Sequence, residues 1–196
     1  LDNSIFSNNT NTKLGHTNGA VTCTNDSMIL ISNCTFNNND GAGVTALSVS
    51  HRSIANVKSL YFTSNSNSGT MSLFYVYDSS YVQVSDSGFA DNNALLLWVT
   101  NSTVDATNIT FKRNHKTLLK MENASTLSLS NSSFENNTSP DATLLSGKSE
   151  VTLVNSSFLR NKNVNSFVHT KSHCLVVIQN CTFIQNSANT MFKITE

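Results

Sequence analysis

The sequence predicts an all-β fold, a right-handed parallel β-helix (solenoid) of about eight coils with three short strands in each coil. Two observations predict it: a Phe and an Asn three positions later recur eight times in 196 residues, and apolar and polar residues alternate at fixed distances before each Phe. No segment shows the apolar spacing of a helix of about ten or more residues. We expect residues 1–196 to form one β-helix domain, a segment or a subunit of a longer array.

The repeat is the motif Phe-x-x-Asn, and eight of the 11 Phe residues of the chain belong to it. Successive copies are separated by about 22 to about 30 residues, a period typical of solenoids, in which each coil buries its apolar side chains against the next. The phenylalanines of the eight copies are Phe6, Phe36, Phe62, Phe89, Phe111, Phe134, Phe158 and Phe183.

The strands are predicted from columns that appear when the copies are aligned on the Phe. The positions five and seven residues before it are always apolar, and the residue between them is mostly polar. This alternation is typical of a strand with one buried face. A further apolar segment lies about 13 to about 16 residues before most of the phenylalanines, as in residues 74–76 and 95–98. Polar columns of Ser or Asn separate the three strands and are predicted to be corners.

Stacking converts each aligned position into a ladder with neighbours ~4.8 Å apart. We expect the Phe column to form an internal aromatic stack. We expect the Asn column to pass side-chain amide hydrogen bonds from coil to coil. The right-handed sense follows from the rule for parallel strands joined by crossovers.

The motif resembles the repeats of the polymorphic outer-membrane proteins. The resemblance is carried by residues 183–188 (FIQNSA), and by residues 18–21 (NGAV) and 41–44 (GAGV), which stand near the Gly-Gly-Ala-Ile position of those repeats. Those proteins belong to the pectin-lyase-like group of β-helices. The resemblance covers essentially the whole chain for the fold, and it implies adhesion, surface display or polysaccharide cleavage.

Charge excludes one class of partner. Lys and Arg number 12, Asp and Glu number 12, and charged residues make up 12% of the chain, about half the usual ~25%. Binding to nucleic acid requires a basic surface, so we expect no nucleic-acid partner. No run of about 18 apolar residues occurs, so we expect no membrane span.

The polar character comes from 29 Asn, 30 Ser and 22 Thr, which create 11 Asn-x-Ser/Thr sequons. They favour a secreted or cell-surface glycoprotein with covalent N-glycans, the alternative being an unglycosylated polar β protein. Asn137 ranks last, since it also belongs to the Asn column. The candidate acceptors are Asn8, Asn25, Asn33, Asn101, Asn108, Asn123, Asn131, Asn136, Asn155 and Asn180.

The four cysteines form two pairs, one near each end of the chain. Cys23 and Cys34 fall in one coil, and Cys174 and Cys181 fall in another. Disulfides that staple the end coils are predicted, with buried thiols as the alternative.

Catalytic and metal-binding patterns are not found in the sequence. Polysaccharide lyases and hydrolases of this fold gather acidic residues on neighbouring coils, whereas here Asp91 and Arg113 share a column, with Arg160 two coils further on. We interpret Asp91 and Arg113 as an exposed ion pair. The five His residues are scattered, and none pairs with Cys at zinc spacing. We expect no catalytic residue, no metal and no cofactor.

A candidate contact patch is predicted on one coil. Tyr75, Tyr77 and Tyr81 alternate with apolar residues and are expected to face outward, where they could contact sugars or a neighbouring subunit.

The sequence therefore predicts a structural, non-enzymatic extracellular glycoprotein. Its copies are expected to stack head to tail into a fibre or surface layer. The alternatives are a carbohydrate-binding or adhesive surface β-helix that has a polysaccharide as partner and, less favoured, a polysaccharide lyase or hydrolase.

Overall fold

The computed structural model describes residues 1–12, 19–140, 142–163, 165–171 and 173–195. In these ranges the regular structure is β-strand throughout, and every strand pair is parallel. Two residues of features considered above lie outside the described ranges: His16, one of the five His residues, and Asn18, the first residue of the NGAV segment.

The first strand of each coil belongs to an eight-stranded sheet, which we call the first sheet. Its strands are β3 (Val21–Cys23), β6 (Leu47–Val49), β9 (Ser72–Tyr77), β12 (Leu95–Thr100), β15 (Leu119–Glu122), β19 (Ala142–Gly147), β23 (Ser166–Thr170) and β26 (Thr190–Ile194).

The second and third strands form a 13-stranded sheet that bends around a corner of the solenoid. Two long strands run through this corner, β4 (Met28–Asn37) and β7 (Ile54–Thr63). Elsewhere the sheet divides into two rows, the second row and the Phe row. The second row contains β10 (Tyr81–Ser85), β13 (Thr103–Thr107), β16 (Thr126–Ser130), β20 (Glu150–Val154) and β24 (Leu175–Gln179). The Phe row contains β1 (Ile5–Ser7), β11 (Gly88–Ala90), β14 (Thr110–Lys112), β17 (Ser133–Glu135), β21 (Ser157–Leu159) and β25 (Thr182–Ile184).

The structure confirms a parallel β-helix with three main strands per coil, and the predicted number of coils is approximately right. The solenoid has about seven turns, because the eight phenylalanines are separated by seven intervals. A fourth, two-residue strand follows the Asn in several coils; it is too short to show a period of its own. These short strands are β2 (Thr10–Asn11), β5 (Asp40–Gly41), β8 (Ser66–Asn67), β18 (Thr138–Ser139) and β22 (Lys162–Asn163).

The predicted aromatic stack runs through the core. Each Phe of the repeat pairs in register with the Phe of the next coil, and consecutive ring centroids are 4.5 to 5.3 Å apart with interplanar angles of 3° to 15°. The apolar columns of the first sheet and the second row pack around the stack and are buried with it. Burial of this continuous apolar column is the main stabilising term of the fold.

The predicted Asn ladder is also present. In the third of its links, the backbone N–H and the Nδ2 of Asn65 both donate to Oδ1 of Asn92, at 2.9 and 3.0 Å, and Nδ2 also donates to the carbonyl of Phe36. The other links repeat this geometry from Asn9 to Asn186. Each ladder residue from Asn39 to Asn161 therefore connects three successive coils while its side chain is buried.

At another corner, columns of serine side chains accept hydrogen bonds from backbone N–H groups of the neighbouring coil. Along the column nine residues before the Phe, the N–H of Ser53 donates to the hydroxyl of Ser80 at 3.2 Å, and the N–H of Ser80 donates to that of Ser102 at 3.1 Å. The corner between the second row and the Phe row is made by a single residue with positive φ, such as Asn108 or Asn131. Asn tolerates this left-handed conformation better than most residues, which explains its frequency there.

Candidate functional site

The ten candidate glycan acceptors all lie at corners of the solenoid. Each has a positive φ, between 48° and 60°. Nine are exposed, and Asn136 is half-buried. Asn108, Asn131, Asn155 and Asn180 occupy one column on four consecutive coils. Asn137 is buried and donates from Nδ2 to Oδ1 of Asn161 at 2.9 Å, so its amide is engaged in the ladder.

An aromatic cluster stands on the outer face of the first sheet. Tyr75 and Tyr77 project from β9, and in the next coil Trp98 of β12 is in register with Tyr75. The ring centroids of Tyr75 and Tyr77 are 4.6 Å apart, and those of Tyr75 and Trp98 are 5.0 Å apart. Val44 and Met71 pack against the same rings.

The cluster ends at an ion pair on the following coil. The Nζ of Lys120 lies 3.9 Å from the centre of the Trp98 ring, and Nε1 of Trp98 donates to Oε2 of Glu122 at 3.0 Å. Lys120 also pairs with Glu122 at 3.2 Å. Burial, with the charges of Tyr77 and Glu122, raises the pKa of Tyr75 to about 12. Tyr75 and Lys120 belong to coils on opposite sides of Trp98, so the indole lies between them.

The predicted tyrosine patch is therefore wrong in two respects. Tyr75 is only 8% exposed, because its neighbours cover it. Tyr81 lies on β10 in the second row, away from the first sheet, and its hydroxyl donates to Oδ2 of Asp105 at 2.7 Å, which raises the pKa of Tyr81.

Trp98 was missed by the sequence analysis. It stands one position closer to the Phe of its repeat than Tyr75 and Lys120 stand to theirs. Alignment on the Phe therefore separates residues that the sheet places side by side. The signal that could have aligned Trp98 with Tyr75 is the alternation of inward and outward side chains within the first strand itself.

A groove of about 530 Å³ lies on the outer face of the second row. Polar side chains from successive coils line it, among them Asn56, Gln83, Asp105 and Ser128. Its described lining contains one carboxylate, that of Asp105, which the hydroxyl of Tyr81 engages. Glycosidic hydrolysis by the usual mechanism needs a pair of carboxyl groups, which this lining does not supply.

The predicted exposed ion pair is confirmed. Nε of Arg113 lies 2.6 Å from Oδ1 of Asp91, both side chains are about half exposed, and the guanidinium lowers the pKa of Asp91. Arg160 binds Glu135 instead, at 2.9 Å. Over the ranges that the structure describes, no group of three or more His, Cys, Asp or Glu residues could hold a metal ion. The same ranges contain no helix long and apolar enough to cross a membrane.

The two predicted disulfides are not formed, because the structure holds all four cysteines as thiols. Cys34 and Cys181 stand two residues before the Phe, where other coils have serines such as Ser132. The hydroxyl of Ser132 donates to the carbonyl two residues earlier at 2.8 Å, and the thiols of Cys34 and Cys181 do the same at 3.0 and 3.4 Å. These two cysteines therefore replace serine in a corner column.

The other two thiols also have separate roles. Cys174 stands in the serine column nine residues before the Phe, and its Sγ donates to the carbonyl of Ser146 at 3.3 Å. Cys23 is 4% exposed and packs in the apolar core, where burial raises its pKa.

Comparison with known families agrees with this architecture. The family model described as "Right handed beta helix region" matches residues 45–193, which is most of the chain. The chain therefore belongs to the right-handed β-helix family, in agreement with the pectin-lyase-like group that its repeats resemble. No curated protein and no solved structure matches the chain.

Proposed function

We propose that the protein is a non-enzymatic structural β-helix of the extracellular space, which carries N-glycans on its corners and stacks coil on coil with further copies. The observation that carries the proposal is the exposure of core-facing apolar side chains on the last strand, since Phe192 and Ile194 are in register with the buried Val168 and Thr170. In the described chain, the large hydrophobic residues that are exposed lie between residues 1 and 61 or between 175 and 194. They are Leu1, Ile5, Met28, Leu30, Ile54, Tyr61, Leu175, Val177, Ile184, Phe192 and Ile194.

The strands at the two ends support the same association. At one end β24, β25 and β26 each have a neighbour on one side only, and at the other end the same is true of β1 and β3. An open strand edge is a template for another coil, either a further coil of a longer chain or a coil of a second copy, and exposed apolar residues beside it favour burial. A second copy added in register would extend all three rows and produce a head-to-tail filament.

The partners of the acidic residues support a non-enzymatic role. Asp26 pairs with Arg52 at 2.7 Å, and Glu135 pairs with both Lys112 and Arg160. Asp105 and Glu122 accept hydrogen bonds from Tyr81 and Trp98. Each of these carboxylates has a structural partner, and catalysis by this fold would need a pair that is open to substrate.

The positions of the sequons support the glycoprotein assignment. A glycan on Nδ2 of an exposed corner residue projects into solvent without breaking a strand. The candidate acceptors follow three edges of the solenoid, whereas Asn137, which ranks last, is buried.

Two measurements test the proposal. The chain is produced in a eukaryotic secretory host, and we expect peptide-N-glycosidase treatment to reduce its mass and to convert corner asparagines, and not Asn137, to aspartate. Electron microscopy and light scattering should show rods whose length increases in steps of ~34 Å, the height of seven coils. Ile194→Lys, at a residue that is 81% exposed, should shift the rods toward single copies, and Gln83→Lys on the second row should not. Single copies at every concentration would contradict stacking, and an unmodified secreted chain would contradict the glycoprotein assignment.

A carbohydrate-binding or adhesive role is the second candidate, favoured by the polar groove on the second row. Gln83→Ala and Asn56→Ala should reduce retention on a glycan array if the groove binds sugar. Tyr77→Ala is the matched control on the first sheet.

A further inference from the structure

The outer face of the first sheet has a second feature, a pocket beyond the aromatic cluster. It measures about 130 Å³ and is bounded by Lys120 and Glu122 of β15, by Gly147 at the end of β19, and by His169 and Lys171 of the next coil. A pocket of this size holds a few water molecules or one small oxyanion.

Gly147 leaves the space of this pocket, although its backbone conformation does not require a glycine. It occupies the outward position in register with Glu122. Its φ is not in the left-handed region, and a β-carbon added there would meet nothing closer than the carbonyl oxygen of Met121 at 4.0 Å. The glycine therefore leaves a space that a side chain could fill without strain.

The charge around the pocket is asymmetric. Its lining contains one acidic residue, Glu122, and Lys120 already neutralises it at 3.2 Å. Lys171 is exposed, as are the neighbouring Lys148 and Lys193, and these three form no ion pair among the described residues. The surroundings are thus net positive in a chain whose formal net charge is zero.

His169 supplies an independent observation. Its Nε2 lies 3.3 Å from Oγ1 of Thr195. Its Nδ1 is shielded from solvent and has no hydrogen-bond partner within the described residues. His169 lines the pocket, and because buried polar atoms are nearly always paired, its unpaired ring nitrogen indicates a missing partner.

We propose that this pocket is a binding site for a small oxyanion, the carboxylate or sulfate group of a larger ligand, held by Lys171 and His169 with Lys120 at its edge. Lysine side chains bind such groups through charge-assisted hydrogen bonds. The pocket lies on the lateral face of the solenoid, so the proposal does not depend on end-to-end stacking.

The test is NMR titration of the whole ¹⁵N-labelled chain at constant ionic strength, with sodium sulfate and sodium glucuronate as probes and sodium chloride as the reference salt. We expect saturable shifts of the amide signals of Gly147, Lys120 and His169 with at least one probe. Saturation by sulfate alone would identify a tetrahedral oxyanion as the ligand group. Saturation by glucuronate would show that the pocket also binds carboxylates.

Two variants make the test specific. Gly147→Val should fill the pocket and weaken binding about tenfold or more, and Thr126→Val on the second row should leave it unchanged. Lys171→Gln should weaken binding about fivefold, whereas Lys58→Gln, at an exposed lysine on another face, should not. The Lys171 variant also covers the case in which Gly147→Val fails to fold. Non-saturable shifts with both probes, or equal binding by the Gly147 and Lys171 variants and the native chain, would overturn the proposal.

Discussion

Nδ2 of Asn92 donates a hydrogen bond of 2.9 Å to Oδ1 of Asn114, which lies one coil further along the solenoid. The backbone N–H of Asn92 donates to the same oxygen at 3.1 Å. Asn114 in turn donates to the carbonyl of Phe89 in the preceding coil at 2.8 Å and to Asn137 in the next. One side chain therefore satisfies buried groups of three coils, and both partners are completely buried.

Removal of one ladder residue should destabilise the solenoid. Asn114→Ala leaves two donors of Asn92 and the carbonyl of Phe89 without their partner, and we expect the free energy of unfolding to fall by about 3 kcal/mol. Urea denaturation measures it. Asn56→Ala, at a half-buried residue of the groove, is the control and should change the value by less than about 0.5 kcal/mol. Equal losses in the two variants would show that the ladder contributes nothing specific.

The loss of stability on truncating a residue of the aromatic stack should increase with the size of the cavity that the substitution leaves. Phe134 lies 4.5 Å from both Phe111 and Phe158 and is 1% exposed. Phe134→Ala should cost about 3 to 5 kcal/mol and Phe134→Leu less, because leucine leaves a smaller cavity. Thermal unfolding of both variants checks this. Phe192→Ala, at a ring that is 50% exposed, should cost clearly less, and a cost as large as that of Phe134→Ala would contradict the assignment of the core.

The thiols should make the protein insensitive to reductant. Because Cys34 occupies a serine position and donates to the carbonyl of Ser32 at 3.0 Å, Cys34→Ser should change the free energy of unfolding by no more than about 1 kcal/mol. Dithiothreitol should not change the melting temperature of the native chain. Thiol titration of the denatured chain should find all four cysteines reactive. A lower melting temperature under reducing conditions would show that the native chain contains the disulfides that the spacing suggested.

Stability should fall at alkaline pH through Tyr75. Its pKa is raised to about 12 in the folded chain, against ~10 for an unfolded tyrosine. The folded state therefore retains a proton that the unfolded state loses, so the stabilisation is complete below pH ~10 and is lost as the pH rises toward ~12. We expect a loss of about 2 kcal/mol over this window.

Urea midpoints measured between pH 8 and 12 test this dependence. Tyr75→Phe should flatten the curve, while Tyr61→Phe, at a tyrosine that is 47% exposed, should leave it as it is in the native chain. A curve that keeps its slope in the Tyr75 variant would assign the alkaline loss to other groups.

The Phe and Asn columns could be predicted because their spacing from one another is constant. The two positions are separated in every copy by two residues, so one alignment superimposes both columns, and the register of Phe111 on Phe134 follows directly. The first strand could be located only approximately. Its distance from the Phe varies by one position, and a shift of one position moves a side chain to the other face of a sheet. The neighbours Tyr75 and Trp98 were separated for this reason.

The cysteine prediction failed for a different reason. Closeness in sequence placed Cys23 and Cys34 in one coil, but the direction of each side chain depends on its column. Cys23 belongs to an apolar column of the first sheet, and Cys34 belongs to a corner column otherwise filled by serine and aliphatic residues. Two side chains on different sides of a coil can each bond to the nearest carbonyl without meeting.

The sequence by itself determined the class of fold, the aromatic stack and the Asn ladder, because these depend on a repeated pattern that every coil applies in the same way. Only the tertiary structure decided which outward side chains meet across coils. The contact of Lys120 with Trp98, the burial of Tyr75 and the pocket beside Gly147 depend on loop length and on the stacking of strands that lie a full repeat apart in the chain. Such contacts follow from register in three dimensions, which a local pattern does not specify.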